Sequence, residues 1–208
     1  AETATAALLF VLEESTGMSF DELLETRLVQ PLGLSETTVI DPDQMPADFS
    51  HGRYNFPGQG ALTTADAPLD AYYSFKVGES VLSTVADQLA IAEALATGTV
   101  PGLGLLPTPN MFPSDREVTD EDGTRYFGDG FPLNLHCPCQ AVGDGQSGAS
   151  IGRRGNALGT TTHWYHFPST GITIVVHLNS FEAGTPLEVM ELAYAIHELV
   201  SGEPTPSG

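Results

Sequence analysis

Apolar positions cluster at the start of the chain. Over residues 4–16, Ala7, Leu8, Phe10, Val11 and Leu12 make a broad apolar face, and Gly17 is placed to cap its end, which predicts an opening helix. Ser19 with Glu22 three positions later has the pattern of a capping box. A second helix is predicted from there, with Phe20, Leu23, Leu24 and Leu28 as its buried stripe and an end before Pro31, because proline cannot continue the hydrogen-bond ladder. Residues 31–84 are rich in loop formers, with a weak strand near Tyr54. A third helix is expected to begin at Ser83, Thr84 or Asp87 and to run through Leu89, Ile91, Ala92 and Leu95 to a glycine cap at Gly98. Residues 99–123 read as irregular.

Beyond Thr124 the periodicity changes. Tyr126, Phe127 and Phe131 read as one strand, and residues 160–167 and 172–178 as two more, joined by a hairpin turn at 168–171. Thr185-Pro186 opens a last helix whose apolar face is Leu187, Met190, Ala193, Tyr194, Ile196 and Val200. Helices, then adjacent antiparallel strands, then a covering helix predict an α+β fold with helices packed on an antiparallel sheet. Residues 1–202 are expected to form one portion of a domain and 203–208 a frayed tail. Such a sheet needs more strands than this pattern supplies, so part of the domain is expected to lie elsewhere.

Composition narrows the function classes. The chain has 208 residues, 41% of them hydrophobic, with mean hydropathy −0.02, enough for one substantial core. The longest apolar runs, Ala6 to Leu12 and Ile172 to Val176, are too short for a membrane span. Asp and Glu number 27 against 7 Lys and Arg, a net charge of −20, which repels nucleic acid and anionic lipid and rules them out as expected partners. Cys137, Cys139 and His136 crowd into four residues, but a fourth ligand at metal-site spacing is missing, so no metal and no cofactor are expected. A Cys-x-Cys bridge would be strained, and the redox compartment stays open. The chain begins at Ala1 and enters a helical pattern almost at once, as a processed or partial chain would.

The chemistry comes from a resemblance. Gly152-Arg153-Arg154-Gly155-Asn156-Ala157-Leu158-Gly159-Thr160, followed by Trp164, Pro168 and the stretch 172–178, resembles the closing sheet of the serine β-lactamase and D-alanyl-D-alanine carboxypeptidase family, in its class C and penicillin-binding branch. Pro31-Leu32-Gly33-Leu34, Thr37-Thr38, Gly78, Leu82-Ser83-Thr84, Asp87 and Leu89-Ala90 resemble that family in the same order, and Gly128 and Gly130 resemble its strand before the third motif. The resemblance implies an acyl-enzyme mechanism on an ester, amide or peptide bond, built from three motifs.

The first motif, Ser-x-x-Lys, is absent here: the one lysine is Lys76, and Tyr73 stands three residues before it. The second motif would fall at Ala1-Glu2-Thr3, where alanine has no phenol; Thr3 could hydrogen-bond a substrate amide, although a helix N-cap is the plainer role. The third falls at Arg153-Arg154-Gly155. Arg153 keeps the positive charge and can grip a carboxylate with two hydrogen bonds, but a guanidinium does not shuttle protons near neutral pH. Gly155 would let substrate backbone come close, and Arg154 and Asn156 are adjacent substrate-binding candidates. His163, His166, His177 and His197 read as structural, and Ser83 as a helix cap with no lysine at the needed offset.

Three readings therefore stand. The chain is the C-terminal portion of a β-lactamase-like serine hydrolase whose nucleophile comes from another segment or chain, and which acts on a small-molecule or peptide substrate. Alternatively, it is a degenerate, non-catalytic binding domain of that family, or an unrelated acidic α+β domain. The family resemblance alone implies an extracytoplasmic location.

Overall fold

The structure is a computed structural model that describes residues 2–39, 46–56, 60–63, 81–97, 117–119, 125–127, 134–136, 150–157, 159–181 and 185–203. The expected features at Gly78, Gly98, Gly128, Gly130, Phe131, Cys137, Cys139 and the tail past 203 lie outside the described residues, as do Ala1, Tyr73 and Lys76.

Helix α1, Glu2–Thr16, ends where Gly17 turns left-handed (φ 67) and its N–H bonds the Glu13 carbonyl at 2.8 Å. Because α1 starts at Glu2, Thr3 lies inside its first turn and is not its N-cap. The expected buried face does not form: Leu8, Phe10, Val11 and Leu12 are exposed.

The capping box is present as read. Ser19 Oγ accepts the Glu22 N–H and Glu22 Oε2 accepts the Ser19 N–H, opening α2, Phe20–Leu24. The chain then makes a π-turn over Glu25–Val29, where the Gln30 N–H reaches back to the Glu25 carbonyl, and continues as the short helix α3, Gln30–Leu32. Pro31 therefore does not stop the helix. The π-turn starts a new helical turn at Gln30, so Pro31 sits in a first-turn position that needs no N–H donor. The stop comes at Gly33, which is left-handed (φ 66).

Strand β1, Thr38–Val39, pairs antiparallel with β4, Val81–Leu82. Between them in sequence lie β2, Arg53–Phe56, and β3, Gly60–Thr63. Helix α4, Val85–Thr97, follows β4. Its N-cap is Thr84, whose Oγ1 accepts the Asp87 N–H at 3.2 Å. Ser83 is not the cap; its hydroxyl shares a 2.8 Å hydrogen bond with Thr37 Oγ1. Asp87 is buried, and its Oδ2 accepts the Glu36 N–H at 2.9 Å and the Thr37 hydroxyl at 2.7 Å. One carboxylate thus ties the loop after α3 to the first turn of α4.

The main sheet runs β10-β9-β8-β7, all antiparallel. Its strands are β7, Asn134–His136; β8, Ser150–Ala157; β9, Thr160–Phe167; and β10, Ile172–Leu178. The two long expected strands have the predicted bounds. The expected strand at Tyr126 does form as β6, Arg125–Phe127, and among the described residues it pairs with β5, Glu117–Thr119. Helix α5, Thr185–Ser201, follows β11, Ser180–Phe181, which pairs in parallel with β2.

Strand alternation sends successive side chains to opposite faces, and a helix covers each. On one face Tyr165, Phe167, Ile174 and Val176 pack with Val189, Met190, Ala193 and Tyr194 of α5. On the other, Ile151 and Trp164 pack with Ala92 and Ala96 of α4, flanked by Leu95 and Val175. Each fully buried aromatic contributes about 1.5–3 kcal/mol by leaving water. Val200, expected in the α5 face, is exposed because it lies past His197, the last buried residue of that helix. His197 itself stacks on Phe167 with ring centroids 3.8 Å apart and bonds Thr170 Oγ1 through Nε2 at 2.9 Å, a structural role as the sequence suggested. The fold is therefore α+β, with helices on both faces of an antiparallel sheet.

Candidate functional site

The site is built on β8. Its register sets Arg153 opposite Trp164 and Gly155 opposite Thr162, so both lie on the α4 face, and both are exposed. Arg154 and Asn156 hold the alternate register positions, opposite His163 and Thr161. The side chains of Arg154, Asn156 and Thr3 lie outside what the structure describes. Backbone geometry thus brings four of the five candidates onto one strand, with Thr3 on α1, a separate element.

Among the described residues, strand β7 pairs with Ser150, Ile151 and Gly152 of β8. Gly155, three residues on from Gly152, carries no side chain.

From Gly155 a row of residues crosses the sheet through Thr162 to His177. Thr162 Oγ1 and His177 Nδ1 share a 2.8 Å hydrogen bond, and partial burial pushes the His177 imidazole below its usual range, which keeps it neutral near pH 7. The sequence by itself suggests only a structural role for His177. Counting alternate residues from Trp164 along the hairpin would have placed it on the face of Arg153 and Gly155. His166, on the same face, is also held below its ordinary value by burial, an effect that Glu93 partly opposes. On the other face Ser150 Oγ and the buried Tyr194 hydroxyl share a 2.8 Å bond, and burial raises the Tyr194 phenol far above its ordinary range.

Taken together, the arrangement sets a guanidinium, a glycine and a neutral imidazole on one face of the sheet. That set can bind an extended, anionic ligand. Among the described residues no cluster of histidine, cysteine and carboxylates could hold a metal ion, and no helix is long and apolar enough to cross a membrane.

Comparison with known proteins agrees with this architecture. A family model described as Beta-lactamase matches residues 3–198. No curated protein matches the chain. Among solved structures, a D-amino acid amidase from Ochrobactrum anthropi SV3, complexed with D-phenylalanine, superposes with a TM-score of 0.67 at 21% identity, over 95% of this chain and 60% of its own. A penicillin binding protein from Bacillus halodurans gives 0.64 at 19% identity, over 89% and 52%. A D-stereospecific amidohydrolase from Streptomyces sp. gives 0.59 at 18%, over 87% and 51%. These likenesses are of fold, and the chain spans about half the length of these structures. With a match over nearly its whole length, the chain belongs to the Beta-lactamase family, the serine β-lactamase and DD-peptidase group.

Proposed function

We propose that this chain is the C-terminal part of a serine hydrolase domain that cleaves an ester, amide or peptide bond through an acyl-enzyme. Its nucleophile would come from a Ser-x-x-Lys segment outside this sequence. In that reaction the serine oxygen attacks the substrate carbonyl while the neighbouring lysine amine takes its proton. The leaving group departs with a proton, and water then releases the acyl group. The present chain supplies binding. The observation that carries the reading is Arg153 and Gly155 at alternate positions of β8, exposed together on the α4 face.

A substrate would lie against this face of β8, and the Arg153 guanidinium would hold a carboxylate through two parallel hydrogen bonds. Arg154 and Asn156 are proposed as further substrate contacts, and Thr3 as a weaker second-motif partner for a substrate amide. An amidase and an amidohydrolase among the structural neighbours make amides of D-amino acids the first substrates to test.

A second reading has its own support. Arginine at position 153 stays protonated near neutral pH and cannot relay a proton, and Ala1 lacks the phenol of the second motif. Both favour a domain that keeps the cleft for binding and has lost the chemistry. Native mass spectrometry of the particle isolated from its source, with a fluorophosphonate label for an activated serine, separates the two. A labelled Ser-x-x-Lys peptide in the particle supports the hydrolase. A particle that holds no such peptide, yet binds a carboxylate-bearing ligand, supports the binding domain.

A further inference from the structure

Acidic residues outnumber basic ones most heavily at the two ends of the chain. Residues 1–52 carry ten Asp and Glu and a single cation, Arg27, while residues 177–208 carry five Glu and neither Lys nor Arg. The helix ends do not offset this excess. A helix C-terminus has partial negative charge and is stabilised by Lys or Arg in its last turn. None of the three long helices, α1, α4 and α5, has a basic residue there. Helix α1 ends instead with Glu13 and Glu14, and α5 has Glu198 in its last turn.

The corner between α1 and α2 concentrates the conflict. The Glu25 N–H bonds the Asp21 carbonyl, so Asp21 and Glu25 stand one helical turn apart, both exposed, with Glu22 between them in sequence. Like charges at that spacing repel. Two of the neighbouring carboxylates are fixed in place by backbone: Glu22 Oε2 accepts the Ser19 N–H and Glu13 Oε1 accepts the Phe20 N–H, each at 2.8 Å. The crowding is therefore part of how the corner is built.

Distance decides how much salt relieves it. Neighbours one turn apart lie about 5–6 Å from each other, inside the screening length of about 8 Å at physiological ionic strength. Salt at that level leaves them largely unscreened. Near 1 M the screening length falls to about 3 Å, and the repulsion is suppressed. We infer that this protein is adapted to work in concentrated salt, with molar monovalent cations supplying the screening that its own side chains do not. At low ionic strength the net charge of −20 and the uncompensated helix ends act together against the compact state.

The test is thermal unfolding of the complete protein, as isolated from its source, followed by far-UV circular dichroism over a KCl series. Between about 0.1 M and about 2 M, Tm is expected to rise by on the order of 10 °C. The same series is run on a triple variant, Glu14→Lys, Glu25→Lys and Glu191→Lys, at three exposed positions that spare the capping box and the Glu13 bond. Each swap removes two of the net negative charges. Its Tm should start higher in dilute salt and rise by about half as much. Glutamine at the same three positions, which removes one charge each and disturbs the helices least, should fall between the two.

A Tm of the unaltered protein that stays flat across the series would overturn the inference without recourse to any variant. So would an equal rise in all three proteins, because salt that merely strengthens burial acts on apolar surface and is indifferent to charge. A response graded in the order Glu, Gln, Lys supports it.

Discussion

Arg153 is the residue on which the functional reading turns, and its position allows a clean test. It is exposed on β8 and lies outside both buried clusters, so its replacement should leave stability unchanged within about 0.5 kcal/mol. In the completed enzyme, Arg153→Ala is expected to lower kcat/KM for a carboxylate-bearing substrate by about 10- to 100-fold, the range for losing a charge-assisted hydrogen bond. The loss should be small for the same substrate with its carboxylate converted to an amide, and Arg153→Lys should recover part of it. Steady-state kinetics on the two substrates checks this. His197 makes a different point at the same scale. Burial outweighs the opposing pull of Glu203 and lowers its folded pKa below the ordinary value near 6.5. Below that pH the unfolded chain takes up the proton more readily than the folded one, so this contribution to stability is present at neutral pH and is lost on acidification. Urea midpoints measured at pH 7, 6 and 5 should fall with pH. His197→Phe, which keeps the stack on Phe167, should flatten the slope in part, since His166 and His177 are shifted in the same direction.

At the scale of elements, local signals and tertiary demands part company. The capping box at Ser19, both long strands and the last helix were legible because each depends on neighbours within a few residues. The π-turn over Glu25–Val29 was not, because a one-residue shift of hydrogen-bond register leaves no mark on apolar spacing. The start of α4 was bracketed by sequence, and only the hydrogen bond from the Asp87 N–H to Thr84 Oγ1 chose among the candidates. That region yields a graded prediction. Thr84→Ala should cost about 1 kcal/mol, the usual loss of an N-cap. Asp87→Ala should cost more, about 3 kcal/mol, because it leaves the Glu36 N–H and the Thr37 hydroxyl without their acceptor in a partly buried setting. Denaturant unfolding of the two variants should preserve that order. Equal losses would mean that Asp87 does no more than complete the cap.

For the molecule as a whole, the joint between the two larger sheets is made mainly by backbone groups. The Arg53 N–H is shared between the carbonyls of Gly159 and Asn179, each at 2.9 Å, and Thr161 Oγ1 bonds the Ser180 carbonyl at 3.1 Å. Gly159 is left-handed (φ 76), and a Cβ on it would come within 2.6 Å of the Gly52 carbonyl carbon. Gly159→Ala is therefore expected to destabilise the chain by about 3 kcal/mol, from backbone strain and overlap together. Thermal unfolding followed by Trp164 fluorescence measures it directly. Substitution of Gly171, also left-handed but with open space around it, should cost less, since strain acts there without overlap. Near-equal losses would remove the role assigned to the joint.

Sequence alone determined the fold class, the long β9–β10 hairpin and the last helix, since caps, turns and apolar period are local properties. It also pointed to the third-motif strand, because Gly152 to Thr160 is a continuous run. Tertiary structure decided which strands meet. The register of β8 against β9 sets Arg153 opposite Trp164 and Gly155 opposite Thr162, and pairing between strands fixes that shared face where no local signature does. It also decided which apolar faces are covered. Helix α5 buries Val189, Met190, Ala193 and Tyr194 against the sheet, whereas Leu8, Phe10, Val11 and Leu12 of α1 stay exposed. Periodicity states that a face must be buried; only packing states what buries it.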